Sequence, residues 1–204
     1  MPDRTSESWD DVVEDLAQRR AASRAMGGDE RLAKHRAAGK LDVRARIAHL
    51  LDPGSFLELG TLVGGEDSPA DALVMGSGRI DGRPVMVAAE DFTVKAGTIS
   101  GAANAKRYRV ADIAVRDRVP CIMVLEGAGY RADGKPHIAP TPTDMLAQAR
   151  CSGRVPLVTA VLGASAGHGA LVAPISDFSV MTTRAAIFTA GPPVVYESMG
   201  EEIT

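Results

Sequence analysis

The sequence predicts an α/β protein with a sheet covered on both faces and a helical amino-terminal extension. From residue 56 onward, strand-length apolar runs alternate with helical patterns, and each run is apolar throughout, as in strands buried on two sides. Hydrophobic residues make up 45% of the chain and aromatics 4%, so the core must be built from Val, Ile, Leu and Ala, which suits close helix–sheet packing. A length of 204 residues fits one domain with an appendage, divided here into an extension at 1–55 and an α/β domain at 56–204.

The extension is polar and helical in pattern. Ser8 and Asp11 form a capping-box pair ahead of Trp9, Val12, Val13 and Leu16 at helical spacing, and Gly27-Gly28 stops the helix. A second helix is predicted over about Asp29–Ala38 and a third over about Val43–Leu51, closed by Asp52-Pro53-Gly54. These helices carry too few apolar residues for a core of their own, so they should pack on another surface. Next, Asp81-Gly82 predicts a tight hairpin, with Pro84 opening a strand through Ala89. A helix follows over about Ile99–Arg116, then strand Cys121–Leu125, a helix near Pro142–Cys151 and strand Leu157–Leu162. A helix from about Gly167 and strands Phe178–Thr182 and Ile187–Ala190 complete the pattern. The chain stops at Thr204 just after a helical pattern with no terminating Gly or Pro, which reads as a cut.

Composition excludes several classes. A formal net charge of -3 gives no general pull toward nucleic acid, and so few aromatics supply no stacking platform for single strands. No apolar run is long enough to span a membrane, and no signal peptide is visible, so a cytoplasmic protein is expected, with Cys121 and Cys151 reduced. Gly129 to Gly134-Lys135 begins like a P-loop, but Pro136 stands where Ser or Thr must bind Mg²⁺. Gly76-x-Gly78-x-x-x-Gly82 runs into a strand, so it reads as a hairpin. His35, His49, His137, His168 and the two cysteines show no ligand spacing, and no metal is predicted. Arg19, Arg20, Arg24, Arg31, Lys34 and Arg36 are interleaved with acids and read as a solvated face.

Two small-residue turns remain as candidates. The first, Glu126-Gly-Ala-Gly-Tyr-Arg131, follows the strand ending at Leu125; the second, Gly163-Ala-Ser-Ala-Gly-His-Gly-Ala170, follows the strand ending at Leu162. Both sit at strand carboxyl ends, where α/β sheets bind ligands. Small residues let a ligand approach the backbone, and the second turn opens a helix, whose first N–H groups are unsatisfied. The residues alone leave equal room for plain strand–helix turns.

Residues His35–Glu58 (HRAAGKLDVRARIAHLLDPGSFLE), Gly76–Val85, Glu90–Ser100 (EDFTVKAGTIS) and Gly163–Phe178 resemble the β subunits of biotin-dependent acyl-CoA carboxylases, in the same order. That group includes the propionyl-CoA, acetyl-CoA and methylcrotonyl-CoA carboxylases. The resemblance implies a crotonase-like fold of repeated ββα turns, of which this chain is the amino-terminal half. It further implies an acyl-CoA substrate held mainly by this half, carboxybiotin carried on a biotin carboxylase and carrier partner, and hexameric assembly. The expected reaction moves CO₂ from carboxybiotin to the α-carbon of a short acyl-CoA. Alternatives are a malonyl- or methylmalonyl-CoA decarboxylase component, and an acyl-CoA-binding module without turnover.

By the same resemblance, the enolate formed at the thioester is held by backbone N–H groups at Gly129 and Tyr130 in the first turn and at Gly167 and His168 in the second. Ala128, Arg131, Ala166 and Gly169 would line the acyl pocket. Where relatives carry a Ser-Gly-Gly-Ala-Arg-like run this chain reads Gly127-Ala-Gly-Tyr-Arg131, and His168 stands where Gly is frequent. A backbone donor survives either change, whereas the acyl pocket is reshaped. A proton-relay role for His168 is a further expectation, tested by the pH profile of His168→Ala.

Overall fold

A computed structural model describes residues 8–65, 68–131 and 142–202. The extension holds α1 (Trp9–Arg24), α2 (Asp29–Ala37) and α3 (Val43–Leu50). Ser8 caps α1 through the Asp11 N–H, and Asp11 returns a bond to the Ser8 N–H, closing the expected box. The domain that follows is built on one seven-stranded sheet. Strands β1 (Leu57–Leu59), β2 (Leu73–Ile80) and β3 (Arg83–Glu90) pair antiparallel. Strands β4 (Cys121–Gly127), β5 (Leu157–Ala166) and β6 (Phe178–Met181) then add in parallel. Asp81 and Gly82 both have positive φ, 48° and 76°, which matches the twist a two-residue hairpin needs.

Helix α4 (Gly101–Asp117), capped by Ser100, crosses one sheet face and α5 (Asp144–Ala149) packs beside it. Val110, Ala111, Ile113 and Ala114 of α4 share one core with Met86, Cys121, Met123, Leu125 and Leu157. Both cysteines are buried and unpaired. The opposite face is covered by the extension. Val43, Ile47 and Leu51 pack on Val74, Val85, Val87, Ala89, Ile122 and Val124. Burying each such side chain stabilises by about 1.5–3 kcal/mol, which is how a lean helix stays folded. No described helix is long and apolar enough to cross a membrane.

Three expectations are corrected. Strand β5 does not end at Leu162: it runs to Ala166, because residues 164–166 pair with β7 (Ala186–Phe188), a partner distant in sequence. The sheet is not covered throughout, since all four residues of β6 are exposed. The final helix, α8 (Pro192–Met199), does end on a glycine: Gly200 takes φ 70°, and its N–H bonds the Tyr196 carbonyl.

Lys106 of α4 is 2% exposed, with its Nζ donating to the carbonyls of Ala70 (2.8 Å) and Leu73. Burial pushes its pKa down from 10.5 to about 8. Across that window the unfolded chain keeps a proton that the folded chain has released, so stability rises with pH. Urea unfolding near pH 8 and near pH 10 should show a gain on the order of 2 kcal/mol that Lys106→Met lacks. An equal gain in both proteins would contradict the assignment.

Candidate functional site

The parallel pairing of β4 with β5 brings the two small-residue turns together. Gly127 lies opposite Ser165, and the register shifts between Leu125 and Gly127. Gly129, at φ 86°, and Gly167, at φ 57°, face each other: a Cβ on Gly129 would lie 3.0 Å from the Ala166 carbonyl oxygen and 3.7 Å from the Gly167 Cα. Any side chain at Gly129 would push the turns apart. On its other flank the first turn is pinned to Ile99, whose N–H donates to the Gly129 carbonyl (2.7 Å) and whose carbonyl accepts the Arg131 N–H (2.8 Å). Because the intervening peptide is trans, the Tyr130 N–H points away from Ile99.

The remaining predicted residues divide. Ala128 is exposed, and its N–H is held by the Ala96 carbonyl at 2.9 Å. Ala166 is half-buried as the last residue of β5, and Gly169 is buried. The Tyr130 side chain is exposed. Arg131 is occupied elsewhere: its Nη2 pairs with Asp71 at 2.6 Å and its Nε donates to Thr98 Oγ1 at 3.0 Å. The helix after the second turn is one turn long, α6 (Gly167–Ala170), followed by α7 (Val172–Ile175). Pro174 has no N–H to donate to Ala170, so the helix cannot continue regularly. The second turn thus offers local N–H groups, with little summed helix dipole behind them. Gly134, Lys135, Pro136 and His137 lie outside the described residues.

Behind the turns run two charge networks that the sequence did not reveal. Glu126, the first residue of the first turn, has a fully buried carboxylate paired with Lys40 and Arg46, and His35 Nε2 lies 3.9 Å away. All three side chains come from the extension. Gly163 makes room for this carboxylate, since a Cβ there would fall 2.4 Å from Glu126 Oε1. The second network links Glu90, Arg107, Asp144 and His168. Arg107 donates to Glu90 Oε1 (2.8 Å) and Asp144 Oδ2 (2.6 Å), while His168 Nε2 meets Asp144 Oδ1. Burial raises the Asp144 carboxyl, but the His168 hydrogen bond and the Arg107 charge outweigh it and hold the pKa at about 2. An ionised Asp144 only accepts, so His168 Nε2 carries the hydrogen between them. Burial pushes Glu90 upward, with the Arg107 charge opposing.

Arg31 and Lys34 are not simply a solvated face. With His35, Lys40, Phe92 and Lys95 they line a cavity of about 520 Å³. Lys40 Nζ sits 5.6 Å from the Phe92 ring centroid. Among the described residues, Arg31, Lys34 and Lys95 make no ion pair. The cavity abuts the first turn, because its lining residue Ala96 holds Ala128 and its Lys40 holds Glu126. Lys95, Ala96 and Gly97 take successive φ values of 46°, 54° and 68°. For the two non-glycine residues this costs about 1–2 kcal/mol each, a strain kept only where the surroundings fix it. The cavity suits an anion carrying a flat or apolar portion.

Known proteins resemble this chain over most of its length. Residues 34–204 match the carboxyl transferase domain family. The chain is 34% identical over 202 residues to the methylmalonyl-CoA carboxyltransferase 12S subunit of Propionibacterium freudenreichii subsp. shermanii, covering 94% of this chain and 38% of that protein. It is 36% identical to the biotin-dependent 3-methylcrotonyl-coenzyme A carboxylase beta1 subunit of Mycobacterium tuberculosis, covering 95% of this chain and 39% of that protein. The solved transcarboxylase 12S structure with methylmalonyl-coenzyme A bound superposes with a TM-score of 0.84 at 31% identity, covering 98% of this chain and 41% of that one. The chain therefore spans about two-fifths of the length of these relatives, and its fold is of the expected crotonase-like type. On the strength of the match over residues 34–204, the chain belongs to the carboxyl transferase domain family.

Proposed function

We propose that this chain is the acyl-CoA-holding part of a biotin-dependent carboxyltransferase, and that its two facing turns bind the thioester oxygen as negative charge develops there. The observation that carries the reading is the approach of Gly129 to Gly167, which brings two glycine turns from neighbouring parallel strands into backbone contact. Donors at Tyr130 and His168 are main-chain groups, so the side-chain departures from the family pattern leave them in place. The cavity beside the first turn would take the phosphates of coenzyme A on Arg31, Lys34 and Lys95, with Phe92 available to the adenine.

Loss of the α-proton moves charge onto the thioester oxygen, and fixed N–H donors lower that barrier. One such donor is worth about 2.7–4 kcal/mol. The carboxylates nearest the turns cannot remove this proton, because Glu90, Glu126 and Asp144 are each bound to cations. The residues fit a base arriving from outside. Carboxybiotin on a partner carrier would supply the CO₂ and, after its release, the basic ureido nitrogen. The turns then hold the enolate while its α-carbon attacks CO₂. Assembly as a hexamer, named for the solved 12S protein, is inferred for this one.

The reading is tested in the assembled enzyme by isotope exchange between carboxylated biotin and a short acyl-CoA. Label should appear in the acyl-CoA. Decarboxylation of a malonyl-type CoA without exchange would overturn this function in favour of a decarboxylase.

A further inference from the structure

The contact between the turns is set from behind. Glu90, the last residue of β3, places one carboxylate oxygen against each turn. Its Oε2 accepts the Glu126 N–H at 2.8 Å and would stand 2.8 Å from a Cβ on Gly127; its Oε1 would stand 3.1 Å from a Cβ on Gly169. Arg107, from α4, donates Nη1 to that same Oε1 and directs Nη2 toward the Gly169 carbonyl at 3.5 Å. Its Nε reaches Asp144 of α5, which holds His168 and also accepts from Gln148 Nε2 at 3.0 Å. The side chains of Arg107, Glu90 and Asp144 are 0%, 2% and 0% exposed. One unbroken chain of bonds thus runs from the first turn's backbone to the second turn's carbonyl and imidazole, through residues on three elements outside both turns.

Stability is a poor reason for this arrangement. Buried ion networks can often be exchanged for apolar residues of similar volume without loss, because desolvation offsets the attraction. A guanidinium that bridges two carboxylates, Nη1 to Glu90 and Nε to Asp144, does supply fixed geometry. We propose that Arg107, with Glu90 and Asp144, is a positioning residue that sets the spacing of the two turns and so controls turnover rather than acyl-CoA affinity. This rests on the reading of the turns as the thioester-oxygen site.

The test is Arg107→Lys in the assembled carboxyltransferase, which keeps the charge and loses the fork. A misplacement of about 1 Å costs up to about 100-fold, so kcat should fall roughly 10–100-fold while the acyl-CoA dissociation constant stays within about threefold. Should that variant fail to fold, the triple variant Glu90→Gln, Arg107→Met, Asp144→Asn removes the charges together and should show the same split. Wild-type kcat in either folded variant, or a parallel loss of affinity and kcat, would overturn the proposal. Gly129→Val separates the two layers. If it slows turnover and Arg107→Lys does not, only the positioning role falls; if it leaves turnover unchanged, the reading of the turns falls.

Discussion

Glu126→Ala should destabilise the protein by about 3–5 kcal/mol and weaken acyl-CoA binding, because it strands the buried Arg46 guanidinium. Arg46 is 7% exposed at its side chain and loses its carboxylate, as does the partly exposed Lys40. The vacated volume lies against Gly163, whose missing Cβ exists to accommodate this carboxylate. Loss of the clamp also unties the extension from the first turn and leaves Lys40 without its fixed position at the edge of the cavity. Glu126→Gln keeps the shape and should lose less. Thermal unfolding and acyl-CoA titration of both variants check this; an unchanged melting temperature in Glu126→Ala would show that the clamp carries no folding energy.

The second large effect is expected on turnover. Gly129→Val places a β-branched residue at φ 86°, with its Cβ 3.0 Å from the Ala166 carbonyl oxygen. Ala166 is held by its pairing with Phe188 of β7 and Gly129 by its bond to Ile99, so neither yields without separating the turns. The loss should match removal of one oxyanion donor, about 10²–10³ in kcat. KM for acyl-CoA should change far less, since Gly129 does not line the cavity of Arg31, Lys34 and Lys95. Steady-state kinetics decide the matter, and an equal rise in KM with kcat retained would place the defect in binding instead.

What the sequence disclosed was local. The Asp81-Gly82 hairpin, the Ser8–Asp11 cap and the apolar runs of β3, β4 and β5 are patterns of adjacent residues, and each formed where expected. Both candidate turns were legible as glycine clusters after strands. The features that hold them were not. Glu126 meets Lys40 and Arg46 across 86 and 80 residues, and Arg107 meets Asp144 across 37. No spacing rule reports such contacts. A carboxylate at or next to the end of an otherwise apolar strand was the available clue, present at Glu90 and Glu126. The extension of β5 through Gly163–Ala166 was hidden because small residues read as loop until β7 pairs with them. Arg31 and Lys34 read as a solvated face because Phe92 and Lys95, which complete their cavity, come from the far side of the sequence.

The most direct measurement is a crystal structure of the assembled enzyme with a short acyl-CoA bound. The expected result is a thioester oxygen within about 2.7–3.1 Å of main-chain nitrogens from both turns, at Tyr130 and His168. A thioester oxygen contacted by one turn alone, or lying outside the space between Gly129 and Gly167, would contradict it.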